Sequence, residues 1–363
     1  MKVLIITTLA NSLEHRSIRD RDEKRDACPR GNIFENTLNA EQTDLTWIQR
    51  APWYRKAFYK FLPNRIAMVY EAFLVRHQYD AVLTWFEQDS ALFGMMQRFS
   101  HKKVPHVGLL YWVSKPNVRY LLTLGLSQLT RIVTWTTVQL DFLINQLGYS
   151  SDKVNLIQHY VDSEFWRPTD LPKLSSPEKE NYFCSAGAEM RDYQTLIDAM
   201  EGQKVFCHVG AKEIRVPGFL KAQRLSPESL ELHENMAVRK RTPQEMRDLY
   251  HRAKFVVVPL LPSDTDNGVT VILEALSMGK AVICSQTEGQ RDVITNGDNG
   301  ILVPQGDSKA LREAILDLWN NPEKAEAMGK RARQYIEESQ HDISKFSENV
   351  RQAVEMAIQD SKA

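Results

Sequence analysis

Short, apolar, β-branched runs recur along this chain, each separated from the next by a stretch long enough for a helix. The first series is Lys2 to Thr8, YDAVLTW (79–85), VPHVGLLYWV (104–113), RIVTWTT (131–137) and KVNLIQHYVD (153–162). A second begins at Tyr182 with YFCSA and continues through KVFCHVGA, ENMAVRK, KFVVVPLL, AVICS and GILVP. Strands alternating with helix-length segments pair in parallel and take helices on both faces, which is the Rossmann-like α/β arrangement. With 363 residues the chain has room for about two such domains. The stretch EFWRPTDLPKLSSPEKEN, rich in Pro, Ser and charge, reads as the linker. Domains are therefore expected at 1–167 and 168–341. In the tail, 342–363, apolar residues at Ile343, Phe346, Val350, Val354, Ala357 and Ile358 mark an amphipathic helix with one buried stripe.

Charge narrows the partners only slightly. Lys plus Arg and Asp plus Glu both number 46, so the formal net charge is zero and nothing supports nucleic acid as the main ligand. Cys28, Cys184, Cys207 and Cys284 have no metal-like spacing, and the last three lie in apolar strand-like runs. They read as reduced core residues of a cytoplasmic protein. The opening MKVLIITT is too short an apolar run for a signal peptide, and no stretch approaches the ~18 apolar residues of a membrane span.

Two segments of the N-terminal half have two readings each. The stretch NSLEHRSIRDRDEKRDACPRGN reads as a solvated loop, or as a loop that closes over a ligand at the strand ends. The run RAPWYRKAFYKFLPNRIAMVYEAFLVRHQ (50–78) interleaves basic and aromatic residues. It reads as helix packed on the sheet, or as a basic aromatic surface that meets a lipid-linked or anionic acceptor. The second reading implies peripheral contact with the inner face of a membrane.

The chemistry concentrates between Pro259 and Gly306. There DNGVTVILEALSMG (266–279) turns a polar loop into an apolar helix carrying a single carboxylate, Glu274. Burying a carboxylate without a partner costs several kcal/mol, so Glu274 is expected at a cleft wall, meeting a ligand or a dipole. Two Rossmann-like domains facing across a cleft suggest a nucleotide on the second one. A loop-to-helix junction presents backbone N–H groups and a positive dipole end to anions. Asn267, Gly268 and Val269 are thus the candidate phosphate cradle, with Thr270 adding a hydroxyl, Asp266 at the helix mouth and Glu274 ~9 Å further along the axis.

The run Asp266 to Glu274, then A-x-x-x-G-K-A-V, Gly289, D-V-I and N-G-x-x-G-x-L-V-P-x-G-D before a long amphipathic helix, resembles the donor-domain signature of family 4 (group 1) GT-B glycosyltransferases. Weaker echoes are LGYSSDKVNLIQHYVDSEFWRP, like the family's domain-crossing segment, and TPQEMRDLYHRAKFVVVP. The resemblance implies a GT-B fold, with the 342–363 helix packing back on the N-terminal domain. It also implies a nucleoside-diphosphate sugar donor, of UDP or GDP type, and no other cofactor. Glu274 would hold the ribose hydroxyls, Asp266 the transferred sugar and the 267–269 backbone the diphosphate. Arg191 falls where many members carry a phosphate-neutralising Lys. Lys212 is a further candidate cation, because Ala188 stands near the place of a usual Arg. Asp266 replaces the family's first Glu, the glycine loop after the first strand is absent, and Tyr111 or Trp112 occupies the place of a frequent His.

Asp264, Thr265 and Asp266 spell D-x-D, but the helix dipole and Arg191 can stabilise a leaving diphosphate, so no metal site is expected. On the acceptor side, Glu87, Asp89 and Tyr111 are candidates, the two acids serving equally well as helix N-terminal groups. His106, His159 and His208 read as structural, and Arg239, Lys240 and Arg241 as a solvated run or a nucleobase contact. The function expected is transfer of a sugar, with retention at the anomeric carbon, to a small-molecule, glycan or lipid-linked acceptor. The alternatives are a same-fold epimerase or phosphorylase, or a non-catalytic nucleotide-sugar-binding protein.

Overall fold

A computed structural model of the chain describes residues 1–7, 13–168, 181–211, 214–216, 223–225 and 232–362. Contacts divide it into two units. One comprises Met1–Asp26, Arg30–Gln158 and Ile343–Ala363, the other Ala27–Pro29 and His159–Asp342.

The first unit is built on six parallel strands, β1 (Val3–Ile6), β2 (Ala40–Gln42), β3 (Ala81–Thr84), β4 (His106–Leu110), β5 (Arg131–Thr134) and β6 (Val154–Leu156), in the order β2-β1-β3-β4-β5-β6. β1, β3, β4 and β5 are buried at every position. That is the signature of a sheet covered on both faces, and it explains why these runs read as continuous apolar stretches rather than alternating ones. Helices α1 (Leu13–Lys24), α2 (Asn32–Thr37), α3 (Leu45–Arg50), α4 (Trp53–Tyr59), α5 (Asn64–Val75), α6 (Glu87–Arg98), α7 (Pro116–Gly125) and α8 (Thr137–Asp141) supply the cover.

The charged stretch after β1 is helical over Leu13–Lys24 rather than a solvated loop. Its charges find one another: Arg19 lies 3.6 Å from Glu23 one turn on and 3.0 Å from Glu35 of α2, and donates to Asn32 Oδ1 at 2.6 Å. Pairs at i,i+4 support a helix that has few apolar residues to bury.

The second unit carries a second six-stranded parallel sheet from β7 (Phe183–Ala186), β8 (Cys207–Gly210), β11 (Met236–Arg239), β12 (Val256–Val258), β13 (Val282–Gln286) and β14 (Gly300–Pro304), ordered β11-β8-β7-β12-β13-β14. A separate antiparallel pair, β9 (Ile214–Val216) and β10 (Gln223–Leu225), has no counterpart in the sequence reading. Around the sheet lie α9 (Tyr193–Met200), α10 (Pro243–Arg252), α11 (Val269–Ser277), α12 (Ser308–Asn320) and α13 (Pro322–Glu338). The last helix, α14 (Ile343–Asp360), belongs to the first unit, against β3, β4, β5 and α2. Two parallel sheets with helices are the α/β class expected from the alternation of runs. Among the described residues no helix is long and apolar enough to cross a membrane.

Candidate active site

In the second unit, three chain segments converge at the strand ends β7 and β12. The turn after β7 passes through Gly187 and Met190, both at positive φ, and then Arg191 bridges to Leu260 just beyond β12. Leu261 donates its amide to the Met190 carbonyl at 3.0 Å and Asp192 its amide to Pro259 at 3.0 Å. Asp192 then caps α9 by accepting from the Thr195 amide. This lacing holds Arg191 in a buried position. Its Nε donates to the Ala186 carbonyl at 2.9 Å and its Nη1 to the Glu189 carbonyl at 2.8 Å. Nη2 has no hydrogen-bond partner among the described residues.

Gly268 stands at the N-terminus of α11 with φ +92°. A Cβ there would lie 3.0 Å from Leu260, 3.1 Å from Val258 and 3.4 Å from Arg191 Nη1. Only glycine therefore lets the guanidinium and the helix terminus share this corner. The first N–H groups of a helix lack intrahelical acceptors, but two of the three cradle amides point back into the loop. Asn267 N–H donates to Thr265 O at 2.9 Å and Val269 N–H to Asp266 O at 3.0 Å. The Thr270 hydroxyl lies 3.2 Å from His159 Nε2. Lys212 lies outside the described residues.

Glu274, on α11, is partly exposed among buried neighbours Leu273, Ala275 and Leu276. Tyr250 of α10, itself fully buried, donates its hydroxyl to Glu274 Oε2 at 2.9 Å. Oε1 has no partner among the described residues. Burial pushes the Glu274 carboxyl up to about 7, against the pull of the Tyr250 hydrogen bond and the Arg191 charge. Asp266, buried at the mouth of α11, accepts from the Thr265 hydroxyl at 3.2 Å. Desolvation, with a smaller push from Asp292, raises it to about 6.

The loop bearing Asp266 is tied from the other side by residues the sequence reading passed over. Gln290 donates its side-chain amide to Asn267 O at 2.8 Å, and Asn267 donates its own to Ser263 Oγ at 2.7 Å. Tyr250 and Gln290 are the main omissions. The signal for Tyr250 was a lone hydroxyl on the apolar face of an amphipathic helix. That helix is fixed by a Thr242–Glu245 capping box.

The remaining candidates have local partners. Glu87 is buried, and its Oε1 accepts from the amides of Tyr111 and Trp112, both at 2.7 Å; burial raises its carboxyl above the ordinary value. Asp89 is fully buried and meets Arg65 at 3.2 Å. Both acids hold elements of the first unit together, and Tyr111 meets Glu87 through its backbone. His106 sits fully buried against Thr84 at 2.9 Å, and burial drives it down to about 3. Arg239 pairs with Glu245 at 2.8 Å. Beside it, Tyr182, His208, Arg241, Asp248 and Arg252 help line a cavity of about 490 Å³ under α10.

Residues 167–335 match the family model described as "Glycosyl transferases group 1". Among curated proteins, the chain is 23% identical over 239 residues to N-acetyl-alpha-D-glucosaminyl L-malate synthase of Bacillus anthracis, covering 62% of this chain and 59% of that one. It is 30% identical over 91 residues to the capsular polysaccharide biosynthesis glycosyltransferase CapM of Staphylococcus aureus, covering 25% and 22%. The chain thus spans less than two thirds of the length of the curated relatives it matches. Among solved structures, it matches sucrose-phosphate synthase from Thermosynechococcus elongatus with a TM-score of 0.70 at 13% identity, over 98% of each chain. Anabaena Alr3699/HepE in complex with UDP-glucose matches with a TM-score of 0.69 at 15% identity, over 98% of this chain and 100% of that one. Residues 167–335 thus resemble the group 1 glycosyltransferases, and the chain has the GT-B fold of the solved structures it matches.

Proposed function

We propose that the protein transfers a sugar from a nucleoside-diphosphate sugar to an acceptor, with retention and without a metal, as in family 4. The observation that carries this reading is the corner where the Arg191 guanidinium meets the N-terminus of α11 at Gly268, with Nη2 of Arg191 and, further along α11, Oε1 of Glu274 both lacking a hydrogen-bond partner among the described residues. An anion placed at Gly268 meets a positive dipole end and a guanidinium, which is what a departing diphosphate requires. Glu274, further along α11, offers one unoccupied carboxylate oxygen to ribose hydroxyls. Asp266 lies at the mouth, in reach of the sugar. The gain comes from orientation and from stabilising charge that develops on the phosphate, with a leaving oxygen taking the acceptor proton. HepE, bound to UDP-glucose, makes UDP the first nucleotide to test, with GDP second.

The two inward amides of the cradle, Asn267 and Val269, must turn outward or leave the phosphate to the Gly268 and Thr270 amides. Lys212 is kept as a further donor-side cation. The acceptor is a small molecule, a glycan or a lipid-linked sugar, met by the first unit, where Tyr111 is kept as the acceptor-side candidate because Glu87 and Asp89 hold elements of that unit together. Cytoplasmic placement and peripheral contact through 50–78 belong to the same reading.

The test is a thermal-shift screen across UDP, GDP, ADP, CDP and TDP sugars, since a ligand of the folded state raises its apparent stability. One nucleotide class should raise the melting temperature. Glu274→Ala should then weaken that nucleotide by roughly 10- to 100-fold, the worth of hydrogen bonds to a charged group. Unchanged affinity in Glu274→Ala would sink the ribose assignment.

A further inference from the structure

The run from Leu45 to Tyr70 contains no Asp or Glu but carries Arg50, Arg55, Lys56, Lys60 and Arg65. The structure sorts these cations into two sets. Arg55 and Tyr59, one turn apart on α4, both bind Glu71 of α5, the Arg55 ion pair at 3.1 Å. Arg65 pairs with Asp89 of α6 at 3.2 Å. Asp44, at the other end of the run, is buried and caps α3 by accepting from the Thr46 amide at 2.8 Å. The neighbouring acids are thus all turned inward. Arg50, Lys56 and Lys60 are exposed, and none has a carboxylate partner among the described residues; Lys56 donates only to the Gln49 carbonyl, at 3.0 Å.

The apolar side chains divide along the same line. Tyr59 packs with Ala51 and Ala67, against Ile48 and Leu62, so one face of α4 is pinned to the unit. The other face is bare: Trp53 is 80% exposed, Tyr54 58%, Phe58 61% and Phe61 85%. Single exposed apolar residues need no explanation, but four aromatics within one short helix and its following turn do. A sequence under selection for solubility alone would not hold them there beside uncompensated cations.

We propose that this face, Trp53 to Phe61 with Arg50, Lys56 and Lys60, docks the protein on a bilayer bearing anionic lipids. The aromatic rings enter the headgroup boundary, where amphipathic Trp and Tyr are favoured, and the lysines and arginine meet lipid phosphates. Exposed aromatic rings interleaved with cations that no described carboxylate meets match the anionic, amphipathic headgroup boundary of a bilayer. No described helix is long and apolar enough to cross a membrane. The inference deepens the peripheral contact through 50–78 in the proposed reading; it does not depend on the donor chemistry, so its failure would leave the nucleotide-sugar assignment standing.

Flotation of the full chain with vesicles tests it. At about 0.1 M salt the protein should float with phosphatidylcholine vesicles in which a third of the lipid is phosphatidylglycerol, not with phosphatidylcholine alone, and raised salt should release it. Lys56→Gln with Lys60→Gln should lower partitioning about twenty-fivefold, roughly fivefold per cation. Trp53→Ser with Phe61→Ser should abolish capture with the melting temperature unchanged, since neither side chain is buried. Trp53→Phe should remove a vesicle-induced blue shift in tryptophan emission. Absence of flotation with anionic vesicles, equal flotation with neutral ones, or capture that survives Trp53→Ser with Phe61→Ser overturns the proposal.

Discussion

Glu274 carries the sharpest residue-level consequence. Its carboxyl stands at about 7 in the folded chain against 4.5 ordinarily, because burial disfavours the charge more than Tyr250 and Arg191 restore it. Asp266 is raised in the same way, from 3.8 to about 6. A raised acid binds its proton more tightly folded than unfolded. Its contribution to stability is complete below the unfolded value and is lost as pH climbs through the folded one. His106 and His159, depressed by burial, run the other way below their ordinary value of 6.5. The parent's own melting curve mixes these slopes, so the informative quantity is the difference between parent and Glu274→Gln. Without ligand, the parent should lose stability relative to Glu274→Gln as pH rises from about 5 to 8. With nucleotide present that trend should reverse, because ribose hydroxyls favour the ionised carboxylate. Melting temperatures across that range, with and without UDP, read it directly; a difference that stays flat would mean that Glu274 is already ionised in the empty site. A lone acid among Val271, Ile272, Leu273, Ala275 and Leu276 was visible in the sequence because helical spacing leaves such a residue no fully solvated face. Its hydroxyl partner lies 24 residues away on another helix, and no local pattern reports a contact of that span.

At the level of elements, the loop 263–267 owes its shape to a neighbour as well as to its own hydrogen bonds. Gly289 lies flat against it: a Cβ at that position would come within 1.9 Å of the Thr265 carbonyl oxygen, and the Gly289 amide donates to Ser263 O at 3.1 Å. Gly289→Ala must push the loop away from Gln290 and with it displace Asp266. A loss of about 1 to 3 kcal/mol in stability, the usual cost of overpacking, is expected from denaturant titration, together with loss of the proposed sugar transfer. A variant of unchanged stability would show that the two loops part without cost. The strands of both sheets were legible because buried parallel strands are written as apolar runs. The edge strand β2 was not: Ala40–Gln42 is three residues long and partly exposed, with too few apolar positions to register. Helix α1 was hidden for the opposite reason, since its stability rests on Arg19 pairing with Glu23, Glu35 and Asn32 rather than on an apolar stripe.

Across the whole molecule, the two units differ in how they are drawn from the chain. The cores of the second unit use residues between Val161 and Ile336, an almost unbroken segment. The first unit must recruit its last helix from the far end. Phe346 of α14, fully buried, stacks on Trp135 at 5.7 Å with an interplanar angle of 18° and lies 5.7 Å from Phe34. Arg131 at the start of β5 meets Asp360 at 2.8 Å. The apolar stripe of α14 was plain in the sequence, but a stripe names only the face to be buried, never the surface that buries it. Removing 343–363 strips cover from Trp135 and Phe34 and leaves Arg131 without its acid. The single change Phe346→Ala should already cost about 3 to 5 kcal/mol, the range for a fully buried phenylalanine. A chain ending at Asp342 is therefore expected to lose protease resistance across 1–158 while 159–342 stays resistant and keeps the proposed nucleotide binding. Limited proteolysis with mass mapping, run beside nucleotide titration, separates the cases. Unchanged resistance in 1–158 would mean that α14 covers the sheet without holding it together. Loss of resistance in both parts at once would mean that the second unit needs the first in order to fold.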